Sequence, residues 1–119
     1  MAAPETVLDK LPPQNLDAEM GVLGAMLLDR EAIGHAIEAI TADSFYKGAH
    51  AKIFSAVVEL FDANEPVDII TLSEHLKKRK ELEAVGGASY ISALLDAVPS
   101  AANVSHHLKI VREKALLRR

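Results

Sequence analysis

The chain has 119 residues, of which 50% are hydrophobic and 25% charged, and its formal net charge is −4. This composition predicts one folded domain with a modest core of aliphatic side chains, because aromatic residues make up only 4% and tryptophan is missing. The lack of cysteine excludes a disulfide framework and a thiolate metal site, and no apolar run approaches the roughly 18 residues of a membrane span, so we expect a cytoplasmic protein.

The first predicted helix lies in LPPQNLDAEMGVLGAMLLD and follows residues 1–11, which we expect to form a flexible leader. Asn15 is placed to cap this helix, because its side-chain oxygen can accept a backbone N–H bond of the first turn. Gly21 and Gly24 lower the helix propensity, so we expect them to let a neighbouring helix approach closely. The predicted apolar stripe consists of Leu16, Met20, Leu23 and Leu27.

Two further helices follow, separated by the turn TADSFY, in which we expect Phe45 to be buried. The second helix is REAIGHAIEAI, with Ile33, Ile37 and Ile40 on one side. The third is GAHAKIFSAVVELFDAN, in which two neighbouring apolar stripes form a broad face. Such a face predicts that the third helix is the central helix of a bundle.

Two shorter helices are predicted in DIITLSEHLKKRKEL and ASYISALLDAV, and the glycine pair of LEAVGG turns the chain between them. The first of them has two candidate N-caps, Asp68 and Thr71, so its start is open by about one turn. No internal repeat and no convincing alternating strand is present in the sequence. The pattern therefore predicts an all-α fold, a compact multi-helix bundle.

The last predicted helix, in NVSHHLKIVREKALLRR, carries apolar residues on more than one side. At about 100° per residue, Val104, Leu108, Val111 and Ala115 form a core-facing stripe, Ile110 and Leu117 point roughly 120° away, and Leu116 points to a third side. Such a helix needs more than one apolar neighbour. Either residues 1–100 wrap around it, or its partner lies outside this sequence, and we favour the second interpretation.

No motif of a catalytic or cofactor site is found. The sequence lacks the G-x-x-x-x-G-K-[ST] phosphate loop, the G-x-S-x-G elbow and the H-E-x-x-H zinc motif. His106 and His107 are adjacent, so on a helix they point about 100° apart and cannot share a metal. We expect His35, His50 and His75 to be surface or partly buried residues, and the carboxylates to lie on solvated helix faces. No catalytic, cofactor-binding or metal-binding residue is predicted.

The charges are distributed unevenly along the chain. Residues 1–68 carry four Lys or Arg against twelve Asp or Glu, whereas residues 69–119 carry nine against five. The basic run Lys77–Lys80 could contact phosphate, but a solvated helix end is the preferred interpretation, because cations stabilise the negative end of the helix dipole. The overall acidity argues against tight non-specific DNA binding, which is driven by neutralising phosphates.

Five sequence blocks occur together in an order that resembles a known family. They are LPPQNLDAEMGVLGAMLLD, DSFYKGAHAKIF, PVDIITL, LEAVGGASYISAL and VPSAANVSHHLKIVREKALLRR. Together they resemble the N-terminal domain of the bacterial replicative DNA helicase, the DnaB family. The resemblance runs from about residue 11 to residue 119, and its specificity comes from the five blocks occurring in sequence.

The resemblance implies a specific domain organisation. It places a globular helical bundle in residues 12–99 and the first arm of a helical hairpin in residues 100–119. Hairpins of two subunits pack together in this family, and three such pairs form the collar of a hexameric ring. The returning arm and the RecA-like motor are missing here, so we expect a piece of a longer protein, with ATP and Mg²⁺ bound by the motor and no enzyme activity in this chain.

The resemblance also implies partners and contact residues. The collar docks primase through the C-terminal domain of primase, and Tyr90 lies in a block near that docking region. Val111, Leu116 and Leu117 are the candidates for hairpin packing between subunits, with Arg112 and Arg118 as charges at the rim. A helicase loader is a further candidate partner, DNA is expected only through the full-length ring, and no membrane is expected.

Two alternatives to this function remain at the level of sequence. The first is a stand-alone helical adaptor, because a helical bundle does not by itself determine function. The second is a weak nucleic-acid-binding module, which would have to show an affinity that falls with salt.

Overall fold

The computed structural model describes residues 11–119, so all of the predicted leader except Leu11 lies outside the described residues. The fold in this range is all-helical, as predicted. Six α-helices and one 3₁₀ turn follow one another: α1 (Leu16–Leu28), α2 (Arg30–Ala39), the 3₁₀ turn (Ala42–Ser44), α3 (Gly48–Asp62), α4 (Ile69–Lys78), α5 (Gly87–Asp96) and α6 (Val104–Leu117).

Helix α1 begins at the predicted cap and ends at a residue with two roles. The Asn15 side-chain oxygen accepts a hydrogen bond from the Ala18 N–H at 2.9 Å. At the other end, the Asp29 N–H donates to the Ala25 carbonyl, while the Asp29 carboxylate accepts from the Glu31 N–H at 3.0 Å. Asp29 therefore closes α1 and caps α2, and it is the single residue between the two helices.

The central helix is α1, and the prediction that α3 is central was wrong. Helix α1 packs against α2, α3, α5 and α6. Its side chains are buried on several sides, including Val22, Leu23, Ala25 and Met26. Small residues explain this arrangement, because they let neighbouring helices approach from several directions. Helix α3 has a broad apolar face, but that face points to one side only.

The predicted role of the two glycines in α1 is confirmed by their surroundings. A Cβ atom at Gly24 would touch Val98 Cγ2 and lie 2.6 Å from the Leu94 carbonyl oxygen of α5. A Cβ atom at Gly21 would touch the ring of His107 on α6. Both glycines therefore allow a neighbouring helix to come closer than any other residue would permit.

Helix α2 and its C-cap bury two of the three residues of the predicted stripe, Ile33 and Ile40, but not Ile37. Ala32, Ile33 and Ala36 are its buried residues, while Ile37 remains 37% exposed. Because α2 approaches its neighbours through two alanines, its contact face is rotated and leaves Ile37 at the edge. Phe45, after the 3₁₀ turn, is buried as predicted.

Helix α4 resolves the choice between its two candidate caps, and it ends earlier than predicted. The Asp68 carboxylate accepts from the Thr71 N–H at 2.8 Å, and the Thr71 hydroxyl accepts from the Asp68 N–H at 3.0 Å, so Asp68 is the cap in a reciprocal pair. The helix ends at Lys78, where Lys80 adopts a φ of 61° and the Glu81 N–H donates to the Leu76 carbonyl. This Schellman-type ending stops the helix before Leu82, the predicted end.

Helix α6 is part of the same core as the preceding helices. It packs on α1, α2 and the 3₁₀ turn, and Val104, Leu108 and Val111 are buried, as its core-facing stripe predicts. The core therefore continues across residue 100, where the resemblance places a boundary between bundle and hairpin arm.

Candidate interaction surfaces

The end of α6 presents exposed apolar side chains. Leu116 is 53% exposed and Leu117 is 65% exposed, whereas Ile110 is half-buried against the core. The described residues cover one face of α6 and leave both leucines exposed. This supports in part the interpretation that a partner of the last helix lies outside this sequence. Large exposed apolar side chains that lie together indicate a surface that binds a protein.

Val111 does not lie on this surface. Its side chain is 2% exposed and is packed in the core of the chain. The structure therefore argues against a role of Val111 in packing between subunits, because it has no free surface to offer. The physical reason is its position in the stripe of Val104 and Leu108, which faces α1 and α2.

The two arginines predicted as rim charges have different surroundings. Arg112 is exposed. Arg118 is bound within the chain: Nη1 donates to the Pro13 carbonyl at 2.8 Å and Nη2 donates to the Ser44 carbonyl at 2.7 Å. Its guanidinium also lies 5.6 Å from the centre of the Tyr46 ring. Arg118 thus joins the end of α6 to the segment before α1, whereas the side chain of Arg112 is exposed.

Tyr90, the candidate for primase docking, lies partly buried on α5 and is held from two sides. Its hydroxyl oxygen is 2.7 Å from His50 Nε2 and 3.3 Å from Lys47 Nζ. The His50 and Tyr90 rings are nearly parallel, with their planes 13° apart and their centres 5.9 Å apart, and Lys47 Nζ lies 4.6 Å from the centre of the Tyr90 ring. These contacts fix the orientation of Tyr90, so its outer surface is a preformed feature of the domain.

The buried carboxylate of Glu19 binds the other ring nitrogen of His50 and so helps to hold His50 against Tyr90. Glu19 on α1 is 2% exposed, and His50 on α3 is fully buried. Glu19 Oε1 lies 2.8 Å from His50 Nδ1, and Glu19 Oε2 accepts from the Tyr46 N–H at 2.6 Å. Glu19 Oε1 also accepts from the Lys47 N–H at 3.3 Å. A buried charge needs such partners, because an unpaired one is very costly.

One assignment of the protons satisfies every group in this network. If His50 carries its proton on Nδ1, it donates to Glu19, and its Nε2 accepts from the Tyr90 hydroxyl. The Tyr90 oxygen then accepts from Lys47 Nζ. The network therefore runs from the core of the domain to the surface at Tyr90.

The sequence prediction for Glu19 and His50 was wrong, since both were expected at or near the surface. A signal was present in the helical spacing. Glu19 lies three residues after Leu16 and four before Leu23, and His50 lies three residues before Ile53, so each occupies an apolar stripe. Two polar residues of complementary chemistry in apolar stripes indicate a buried pair.

The basic run at the end of α4 is partly neutralised by acidic neighbours. Arg79 lies 2.9 Å from both Glu59 and Glu81, and His75 Nε2 lies 2.7 Å from Glu59 Oε1. The hydrogen bond from His75, together with the charge of Arg79, holds the pKa of Glu59 below its usual range. Lys77, Lys78 and Lys80 remain exposed, which agrees with a solvated helix end.

Among residues 11–119, no group of three or more His, Asp or Glu side chains is arranged to hold a metal ion. None of the helices in the same range is long and apolar enough to cross a membrane.

Comparison with known proteins identifies the family. The family model described as "DnaB-like helicase N terminal domain" matches residues 11–113, which is most of the chain. The chain belongs to this DnaB-like family. The family predicted from the five sequence blocks is thereby confirmed.

Curated members of the DnaB family are similar over almost the whole chain. The replicative DNA helicase DnaB of Treponema pallidum is 51% identical over 109 residues, which cover 92% of this chain and 25% of that protein. DnaB of Geobacillus stearothermophilus is 46% identical over 115 residues, covering 97% of this chain and 25% of that protein. The chain thus spans about a quarter of the length of these relatives.

The solved structure of a DnaB N-terminal domain shows the same fold. The crystal structure of this domain of the Mycobacterium tuberculosis helicase matches with a TM-score of 0.89 and 42% identity, over 91% of this chain and 77% of that chain. The all-helical architecture is therefore that of a DnaB N-terminal domain.

Proposed function

We propose that this domain serves subunit assembly and primase docking in a hexameric replicative DNA helicase. Membership of the DnaB family, and the fact that the relatives are named replicative DNA helicases, support a role of this domain within such a helicase. ATP hydrolysis with Mg²⁺, and the unwinding of DNA, are assigned in this proposal to the rest of a longer protein.

The exposure of Leu116 and Leu117 carries the assembly part of the proposal. Both leucines lie at the end of α6, whose opposite face is anchored in the core through Val104, Leu108 and Val111. An anchored helix with an uncovered apolar end can present that end to another subunit at little cost in conformational entropy. A helicase loader is a further candidate partner of the domain.

Replacing Leu116 and Leu117 together by aspartate is expected to weaken self-association of this chain by at least about tenfold, because two carboxylates would enter an apolar contact without partners. The measurement is sedimentation equilibrium over a range of protein concentration up to about 1 mM. Ile70→Asp is the matched control, since Ile70 is 80% exposed on a different helix, α4. A chain that stays monomeric throughout, or a double variant that associates like the unmodified chain, would contradict the proposal.

The fixed orientation of Tyr90 supports the docking part of the proposal. An aromatic ring with a polar edge, already held by His50 and Lys47, loses little conformational entropy when a partner binds. Tyrosine is also among the residues that contribute most to the energy of protein interfaces.

Tyr90→Ala is expected to weaken binding of the C-terminal helicase-binding domain of primase by at least about tenfold, because the docking ring would be lost. Titration calorimetry with that primase domain measures the change. Tyr90→Phe keeps the ring and should bind more tightly than Tyr90→Ala. Tyr46→Ala is the control, since Tyr46 is a second tyrosine with 39% exposure. If the Tyr90→Ala chain is folded and still binds with unchanged affinity, Tyr90 is not a docking residue.

A further inference from the structure

The ammonium group of Lys47 lies beside Tyr90 and has no acidic partner in the part of the chain that the structure describes. Its Nζ is 3.3 Å from the Tyr90 hydroxyl oxygen and 4.6 Å from the centre of the Tyr90 ring. Among residues 11–119, no ion pair joins Lys47 to a carboxylate. Lys47 is half-buried, and its contacts with Tyr90 hold the positive charge next to the ring.

The carboxylate of Glu19 contacts the backbone of Lys47 but does not pair with its side chain. Glu19 Oε1 accepts from the Lys47 N–H at 3.3 Å and lies 2.8 Å from His50 Nδ1, while Oε2 accepts from the Tyr46 N–H. Glu19 is only 2% exposed, so it offers no oxygen at the surface. The side-chain charge of Lys47 is therefore left for a group from outside the described residues.

The buried pair also determines which hydrogen bonds this surface can offer. With its proton on Nδ1 and directed to Glu19, His50 accepts the Tyr90 hydroxyl proton at Nε2, 2.7 Å away. Tyr90 then has no proton to donate outward, and its oxygen accepts from Lys47 Nζ. An ammonium group has three N–H donors, of which Tyr90 takes one. The donors that remain for a partner are therefore those of Lys47.

We infer that Lys47 determines the specificity of the Tyr90 surface and that it binds a carboxylate of the docked partner. A carboxylate can accept the remaining N–H donors, and a hydrogen bond between two charged groups is about twice as strong as one between neutral groups. A lysine or arginine of a partner at the same place would be repelled. The inference rests on the proposal that Tyr90 docks the C-terminal domain of primase, and it adds the chemistry of the contact.

The charge of the surrounding sequence strengthens this selection. Residues 1–68 carry only four Lys or Arg against twelve Asp or Glu. A carboxylate of a partner is repelled by most of this half of the chain and attracted at Lys47. The position of Lys47 therefore fixes where, and in which orientation, an acidic group of the partner can dock.

Charge reversal at Lys47 is the direct test. Lys47→Glu is expected to weaken binding of the primase C-terminal domain by at least about thirtyfold, because two carboxylates would then meet. Lys47→Gln loses only the attraction, so it should weaken binding by about three- to tenfold and make the affinity less sensitive to salt. Lys47→Arg keeps the charge and should bind within about threefold of the unmodified chain. Titration calorimetry at about 50 and about 500 mM NaCl measures these changes.

Lys52→Glu is the matched control, because it makes the same change of charge at an exposed lysine of α3. Lys52 follows His50 by two residues, so at about 100° per residue it points to the opposite side of the helix. Its replacement should change the affinity by less than about twofold, since a distant exposed charge is screened by salt.

Replacement of single carboxylates of the primase domain by lysine tests the partner side of the contact. One such exchange should restore the binding of the Lys47→Glu chain, because the ion pair would be rebuilt with its signs exchanged. A rescue of this kind cannot come from a folding defect of the Lys47→Glu chain.

The outcomes separate this inference from the docking proposal. A Lys47→Glu chain that binds like the Lys52→Glu chain, while Tyr90→Ala binds weakly, would overturn the role of Lys47 and leave docking at Tyr90 standing. Equal losses in Lys47→Gln and Lys47→Glu, with unchanged salt dependence, would indicate a neutral acceptor and would also overturn the inference. If Tyr90→Ala binds with unchanged affinity as well, the docking proposal itself fails.

Discussion

Replacing Glu19 by alanine is expected to lower the free energy of unfolding by at least about 3 kcal/mol, because each buried N–H donor left without its acceptor costs about 1–3 kcal/mol. His50 Nδ1 and the N–H groups of Tyr46 and Lys47 would lose their acceptor inside the domain. Because small domains are stable by only about 5–15 kcal/mol, such a loss is a large share of the total. Urea unfolding followed by circular dichroism measures it.

Two comparisons show whether the loss comes from the buried network. Glu19→Gln keeps one acceptor oxygen but turns an amide NH₂ toward donors, so its loss of stability should be intermediate. Glu113→Ala removes an exposed carboxylate and should change the free energy of unfolding by less than about 0.5 kcal/mol. A Glu19→Ala chain as stable as the Glu113→Ala chain would show that the network contributes nothing.

Gly24→Ala is expected to destabilise the domain although alanine is the better helix former. The new methyl group would meet Val98 Cγ2 and the Leu94 carbonyl oxygen, and a carbonyl of a packed helix cannot move aside easily. Overpacking of this kind costs about 1–3 kcal/mol, and we expect it to exceed the gain of about 1 kcal/mol in helix propensity. Thermal unfolding should therefore show a lower midpoint.

Gly34→Ala is the matched control for this prediction. A Cβ atom at Gly34 would meet nothing within 4 Å, so only the propensity term acts and the midpoint should rise. Gly21→Ala should fall between the two, because the His107 ring that it meets can rotate away. The explanation by close helix packing fails if Gly24→Ala and Gly34→Ala unfold at the same temperature.

Local signals in the sequence predicted the helices and several of their ends. The Asn15 cap, the buried Phe45 and the close approach at Gly24 depend on a few neighbouring residues or on one missing side chain, and each is found in the structure. The identity of the central helix was not predictable in this way. A helix that is buried on several sides has no single apolar stripe, so α1 looks less regular in sequence than α3, which is buried on one side.

The candidate surfaces depend on contacts between distant parts of the chain. Glu19 and His50 are 31 residues apart, and their pairing becomes visible only when α1 and α3 are packed together. Val111 and Leu116 are both apolar residues of one helix, yet one is buried and the other is exposed. Helical periodicity shows that the two side chains point to different sides of α6. Only the packing of the neighbouring helices determines which of these sides is buried.

The hydrogen bond from Arg118 to the Pro13 carbonyl brings together two residues that are 105 positions apart in the chain. The start of α1 and the end of α6 consequently lie at one corner of the domain. Any polypeptide joined before Pro13 and any joined after Arg119 would leave the domain from that corner. A domain whose two connections lie at one corner could rotate as a rigid body about that corner. Such a rotation would not require any of its helices to separate.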